Sequence, residues 1–255
     1  MSGEIAFTNT ALESFAALVT FVLLFACIAK IKMQRGIKHV TSKNAKRNTL
    51  DYILIIWLVI HMIVLTADVL SWTAMDFGKN EVWLLFMLNL TFTCLFLECM
   101  VYTYYVKETI YQHEMIGNTY VYLVMLSTVI AIILWITSDI SGKFYYLDTQ
   151  GNYTQGSMYW LCQFYCIIVM CGNIVILLKH RKALVRHDVL SLLMYGLIPI
   201  ASIPAQMLWK STTFNLATTL ALIYICISVH MAQYDRIVEQ EKLLIQQEHE
   251  LSMNQ

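Results

Sequence analysis

Seven runs of mostly apolar residues, each about twenty residues long, constrain this chain more than any other feature of its sequence. They fall near residues 11–31, 51–74, 82–106, 117–138, 157–178, 188–208 and 214–233. At about 1.5 Å of rise per helical residue, each run is long enough to cross a hydrocarbon core of about 30 Å. A water-soluble fold is excluded on composition: 58% of the 255 residues are hydrophobic, 13% are charged and two are proline, which leaves too little polar surface to cover a core. The expected fold is an all-α membrane protein, a bundle of seven transmembrane helices.

The zero net charge hides an uneven distribution. Fourteen of the 17 Lys and Arg residues fall in connections on one side, concentrated between Lys30 and Arg47 and between Lys179 and Arg186. Only Lys79, Lys143 and Lys210 fall on the other. Cytoplasmic loops carry the excess of positive charge, so the N-terminus is expected outside and the C-terminus inside a plasma membrane. Trp72, Trp83, Trp135, Trp160 and Trp209 then lie at outer span ends, where an interfacial aromatic belt is expected. The first ten residues, MSGEIAFTNT, hold no basic residue and no cleavage site follows the first run, so no cleaved signal peptide is expected. The basic first inner loop, with Lys43, Lys46 and Arg47, suits anionic lipid headgroups rather than nucleic acid.

The longest outer connection, Ser138 to Gly156, has strand character. Phe144–Leu147 and Tyr153–Gln155 flank Asp148-Thr-Gln-Gly-Asn152, which is rich in turn residues, and this predicts a β-hairpin. An isolated hairpin is marginal in water, so it is expected to lie on the outer mouth of the bundle, either as a structural plug or as a lid over a ligand site.

Polar residues within the spans fall at two depths. Asp68 lies roughly 10 Å below the outer end of the second helix and Asn89 about as far down the third, so a carboxylate facing an amide is expected. Inserting a charge there costs about 2.5–3.5 kcal/mol, which calls for a compensating role. Either Asp68 fixes helix packing through Ser71, Asn89 or a hairpin group, or it serves a small-molecule site with Trp72, Asn89, Tyr146, Tyr153, Trp160, Gln206 and Asn215. Deeper, His61, Glu98, Asn173 and His230 come out roughly 21–24 Å below the outer surface. Glu98 is expected to pair with one of the two histidines, as a relay or as a static bond. Pro199 and Pro204, in LIPIASIPAQ, interrupt the sixth helix and make it a candidate hinge. Together these six deeper or hinge residues are the transmission candidates.

All seven cysteines lie within spans and read as packing residues. Cys162 and Cys166 are one turn apart but lack matching histidines, so no metal is expected. A haem between His61 and His230 has no further support, and the seventh span lacks the lysine that a retinal Schiff base needs. No cofactor is therefore expected. The chain also lacks a His-Glu-x-x-His run, paired aspartates in facing spans and a Gly-x-Ser turn, so no catalytic residue is expected.

The tail HMAQYDRIVEQEKLLIQQEHELSMNQ contains no Gly or Pro and repeats Ile237, Leu244 and Leu251 every seven residues. This thin coiled-coil-like seam predicts a cytoplasmic signalling helix over 234–255, a homodimer contact, after a seven-helix domain over 1–233.

TADVLSW, FYYLDTQGNYTQGSMYWL, LIPIASIPAQ and EQEKLLIQQEHELSMNQ together span most of residues 51–255. In these pieces the chain resembles the seven-helix membrane sensor region that precedes histidine kinase or diguanylate cyclase modules in clostridial-type bacteria. The resemblance implies a receptor that couples an extracytoplasmic or intramembrane signal through helix seven to a kinase-type output of a two-component system. No phosphoacceptor motif or nucleotide box occurs in the 255 residues, so no kinase or cyclase residue is carried over. The rival expectation is a small-solute transporter, which paired prolines and buried carboxylates also suit. Against it stand the lack of an internal repeat and the presence of the stalk.

Overall fold

The computed structural model describes residues 3–36, 42–77, 81–111, 117–148, 153–209 and 213–229, together with Met231 and Ile245. Its elements are α1 (Gly3–Gly36), α2 (Ser42–Phe77), α3 (Glu81–Tyr111), α4 (Thr119–Ile136), the one-turn α5 (Ser138–Ser141), strands β1 (Tyr145–Leu147) and β2 (Tyr153–Gln155), α6 (Trp160–His180) and α7 (Arg186–Trp209). A shorter apolar helix, α8 (Thr213–Val229), follows. Six helices, α1 to α4, α6 and α7, contain segments long and apolar enough to cross a bilayer. The protein is thus a multi-pass membrane protein with an all-α bundle. Its described helices match the seven apolar runs in order. His230, the loop tip 149–152 and the Ile237, Leu244 and Leu251 seam lie outside the described residues, as do the side chains of Gln206 and Trp209.

In lipid the hydrophobic effect does not hold helices together, so close packing and interhelical hydrogen bonds carry the association. The helix α3 is the hub. It packs on α2, α4 and α6, and its phenol at Tyr102 donates to the Leu192 carbonyl of α7 at 2.8 Å. At the end of the bundle away from the hairpin, Trp57 is fully buried with ring centroids at 4.4 Å from Tyr195 and 5.6 Å from both Tyr102 and Tyr105. The ion pair Lys30 Nζ to Asp51 Oδ1, 2.7 Å, ties α1 to α2 at that same end. Between α4 and α6, Gly172 lets the Tyr120 ring come so close that a Cβ would collide with its hydroxyl, and that hydroxyl donates to the Val169 carbonyl at 3.2 Å. Most span hydroxyls return to a carbonyl three or four residues back, as Thr20, Ser71, Thr91 and Thr103 do, which satisfies them where water is absent.

The hairpin is present within one residue of the expected bounds, with Tyr145 opposite Gln155 and Leu147 opposite Tyr153. One side chain fastens it. Ser138 Oγ accepts from the backbone N–H of Phe144 at 2.9 Å and of Tyr145 at 3.0 Å, and donates to the Tyr145 carbonyl at 3.1 Å. The chain reaches this position through Gly142, whose φ of 63° is a left-handed conformation that glycine adopts without strain. Beneath the hairpin, Trp135 is fully buried, stacked at 3.8 Å on Phe92 and 4.7 Å from the Tyr145 ring. This corrects the belt expectation, because Trp135 is a core residue roofed by the hairpin rather than an interfacial anchor. Trp83 and Trp160 do expose their rings.

Candidate functional site

Three polar clusters among the described residues bear on the expected site residues, and two of them lie along α8. Near the hairpin end, Asp68 on α2 and Glu13 on α1 meet Asn215 on the first turn of α8. The Asn215 Nδ2 donates to Asp68 Oδ2 at 2.9 Å and to Glu13 Oε1 at 3.0 Å. Glu13 is buried and Asp68 partly so. The two carboxyls thus share one amide nitrogen as donor. Trp72, one turn along α2, brings its indole N–H beside Asp68 without closing a well-formed hydrogen bond.

Two turns further along α2, His61 is fully buried and uses both ring nitrogens. Its Nδ1 lies 2.7 Å from Glu98 Oε1 on α3, and its Nε2 lies 2.8 Å from Thr219 Oγ1 on α8. Thr219 Oγ1 is also 2.9 Å from the Asn215 carbonyl. Asn215 therefore belongs to the first cluster by its side chain and to the second by its backbone. With both nitrogens engaged, His61 has no lone pair free for a haem iron or other metal. Among the described residues no group of three or more His, Cys, Asp or Glu side chains could hold a metal ion.

The third cluster sits under the hairpin. Asn89 donates to Asp139 Oδ2 at 3.2 Å and accepts from the Tyr145 phenol at 2.8 Å, and the phenol also reaches Asp139 Oδ1. Burial pushes the Tyr145 phenol well above its ordinary range, and the neighbouring Asp139 carboxylate adds to the shift. Burial does the same to Tyr153, which stacks on Tyr145 at 6.2 Å.

No protein-family model matches the chain, and no curated protein is detectably similar to it.

The expected site residues separate accordingly. Asp68 and Asn215 come together, with Trp72 beside them. The expected pairing of Asp68 with Asn89 is corrected: the two are equally deep but point to different neighbours, Asn89 to the hairpin and Asp68 to α8. Tyr146 is exposed while Tyr145 is fully buried, since successive strand residues face opposite ways. Tyr146 therefore does not face the bundle, and Trp160 too is exposed, packed edge-on against Phe164. Glu98 pairs with His61 as expected. Asn173 shares that depth but binds Thr103 Oγ1 at 2.9 Å instead. Pro199 and Pro204 both lie within α7. Glu13, Asp139, Tyr145 and Thr219 were not among the expected residues. Of these, Glu13 carried a readable signal, as an acidic residue inside the first apolar run.

Proposed function

We propose that this chain is the sensing region of a bacterial membrane receptor. In this reading seven spans, α1 to α4 and α6 to α8, place the N-terminus outside and the C-terminus in the cytoplasm. A signal from outside or from within the membrane changes the contacts of α8, and α8 passes the change to the 234–255 helix, a dimerising stalk that feeds a kinase-type output. Asp68, Glu13, Asn215 and Trp72 form the sensing centre, and His61, Glu98 and Thr219 the deeper contact that α8 must keep or exchange.

The observation that carries the reading is that α8 is held by ionisable side chains at two successive levels, to α1 and α2 through Asn215 and to α2 through Thr219 and His61, which in turn binds Glu98 of α3. An event at Asp68 thus acts directly on the helix that leads to the heptad-patterned segment. A ligand shifts such a helix only through unequal affinity for its two positions. Taking the population from 1:99 to 99:1 needs about 5.5 kcal/mol of difference, which several polar contacts in a buried site can supply.

The test is a fusion of residues 1–255 to a kinase module with a measurable autophosphorylation rate, expressed in a bacterial membrane. Asp68→Asn is expected to lock the output high or low with membrane insertion unchanged. Unchanged output would overturn the receptor reading, and solute uptake by the purified chain in proteoliposomes would replace it with the transporter.

A further inference from the structure

Two proton arrangements, one proton apart, fit the contacts of the His61 ring. Thr219 has one hydroxyl proton and two neighbours able to take it, the Asn215 carbonyl at 2.9 Å and His61 Nε2 at 2.8 Å. When the proton goes to the carbonyl, Thr219 Oγ1 becomes an acceptor and Nε2 must carry a hydrogen. The 2.7 Å contact between Nδ1 and Glu98 Oε1 then needs one further proton, whether it sits on nitrogen or on oxygen. When the Thr219 proton goes to Nε2 instead, Nε2 offers its lone pair, Nδ1 keeps its hydrogen towards Glu98, and the Asn215 carbonyl loses the Thr219 bond. The two arrangements have the same heavy atoms and differ by one proton.

We propose that His61, Glu98 and Thr219 form a binding site for a single proton, whose occupancy sets whether the Thr219 hydroxyl holds the backbone of α8 or the ring of His61. The step balances. The hydrogen on Nε2 leaves to a water-borne base, the Thr219 O–H turns from the carbonyl to the vacated nitrogen, and the triad passes from net neutral to one negative charge. The reverse step takes up one proton and restores the bond to the Asn215 carbonyl.

The groups that face the triad are few among the described residues. From α3, Cys94 and Cys99 lie near Glu98, and from α7 Tyr195 does. On α2 the next ionisable group is Asp68, two turns towards the hairpin, where Asn215 holds it. Asn215 therefore links the triad to the sensing centre. This inference deepens the transmission role given to the triad above, but its test requires no signalling.

The experiment is solid-state NMR on the 255-residue chain in lipid nanodiscs, with ring-nitrogen-labelled histidine and backbone-carbonyl-labelled asparagine, assigned by difference from His61→Gln and Asn215→Ser. As pH is raised from about 4 to about 10, Nε2 of His61 is expected to pass from protonated to unprotonated. Nδ1 keeps its hydrogen at the upper end, and the Asn215 carbonyl is expected to shift at the same midpoint. In Thr219→Val the Nε2 transition remains and the carbonyl shift disappears. A single ring protonation pattern over the whole range overturns the proposal, and so does a carbonyl shift that survives in Thr219→Val. Should that variant not fold, different midpoints for the two signals in the unaltered protein overturn it. A silent kinase fusion leaves this proposal standing, and its failure here leaves the receptor reading standing.

Discussion

Asn215 Nδ2 lies 2.9 Å from Asp68 Oδ2, across 147 positions of sequence. The same nitrogen reaches Glu13 Oε1 at 3.0 Å, so one amide supplies a hydrogen to each of two carboxyls. A double-mutant cycle between Asp68→Ala and Asn215→Ala, read by thermal unfolding in nanodiscs, is expected to give a coupling of about 0.5–3 kcal/mol. The same cycle between Asp68→Ala and Asn89→Ala is expected to be additive within about 0.5 kcal/mol, because Asn89 serves the hairpin. Equal couplings would show that the two amides share one site.

The buried His61–Glu98 contact responds differently to single and double replacement. Removing one partner leaves the other buried without its bond, so His61→Leu and Glu98→Leu are each expected to destabilise the bundle by about 3–5 kcal/mol. The double replacement by leucine is expected to recover most of that loss. Unfolding midpoints of the three variants check this, and a double variant as weak as the two losses combined would refute it.

Alkaline pH is expected to release the hairpin. Burial raises the Tyr145 phenol above its ordinary value of 10.0 in the docked state. Docking then contributes its full stability below that pH and loses it as pH rises further, because the released phenol ionises more readily than the docked one. Trp135 fluorescence reports the event, since its ring lies 4.7 Å from Tyr145. In Tyr145→Phe the transition should move to higher pH, and an unmoved transition would place its origin elsewhere.

Ser138→Ala removes the one side chain that takes two N–H groups and gives one hydrogen to the hairpin backbone. Leaving those buried groups unpaired is expected to destabilise the docked hairpin by about 1–3 kcal/mol per group. Faster amide exchange at Phe144 and Tyr145, with the spans unaffected, is the expected readout. Unchanged exchange would mean that the Phe92, Trp135 and Tyr145 stack holds the hairpin alone.

Depth along a span was legible from residue counts, because helical rise is fixed, and it brought Glu98 to the level of two histidines without choosing His61 between them; the hairpin bounds were legible instead from the turn residues between the strands. Azimuth was not. Asn89 and Asp68 share a level, yet which neighbour each meets is set by how α3 and α2 rotate against the rest of the bundle, and no count along one helix contains that. The partner of Asp68 came from α8, which also brings it beside Glu13 of α1. Glu13 was readable as a charge in an apolar run, whereas Thr219 was not, since span hydroxyls that merely cap their own helix look the same in sequence. Trp135 was misplaced for a similar reason: a tryptophan at a span end is interfacial only when nothing folds over it, and here Tyr145 does.

The join between Glu13 and Asn215, 202 positions apart, has a consequence for biosynthesis. At roughly 5–20 residues per second, the ribosome needs on the order of 10–40 s after making Glu13 to deliver Asn215. Over the last 147 of those positions both carboxyls await the amide that satisfies them. The helix α8 thus acts as the proofreader of α1 and α2, and chains truncated before Asn215 are expected to be the ones that membrane quality control removes.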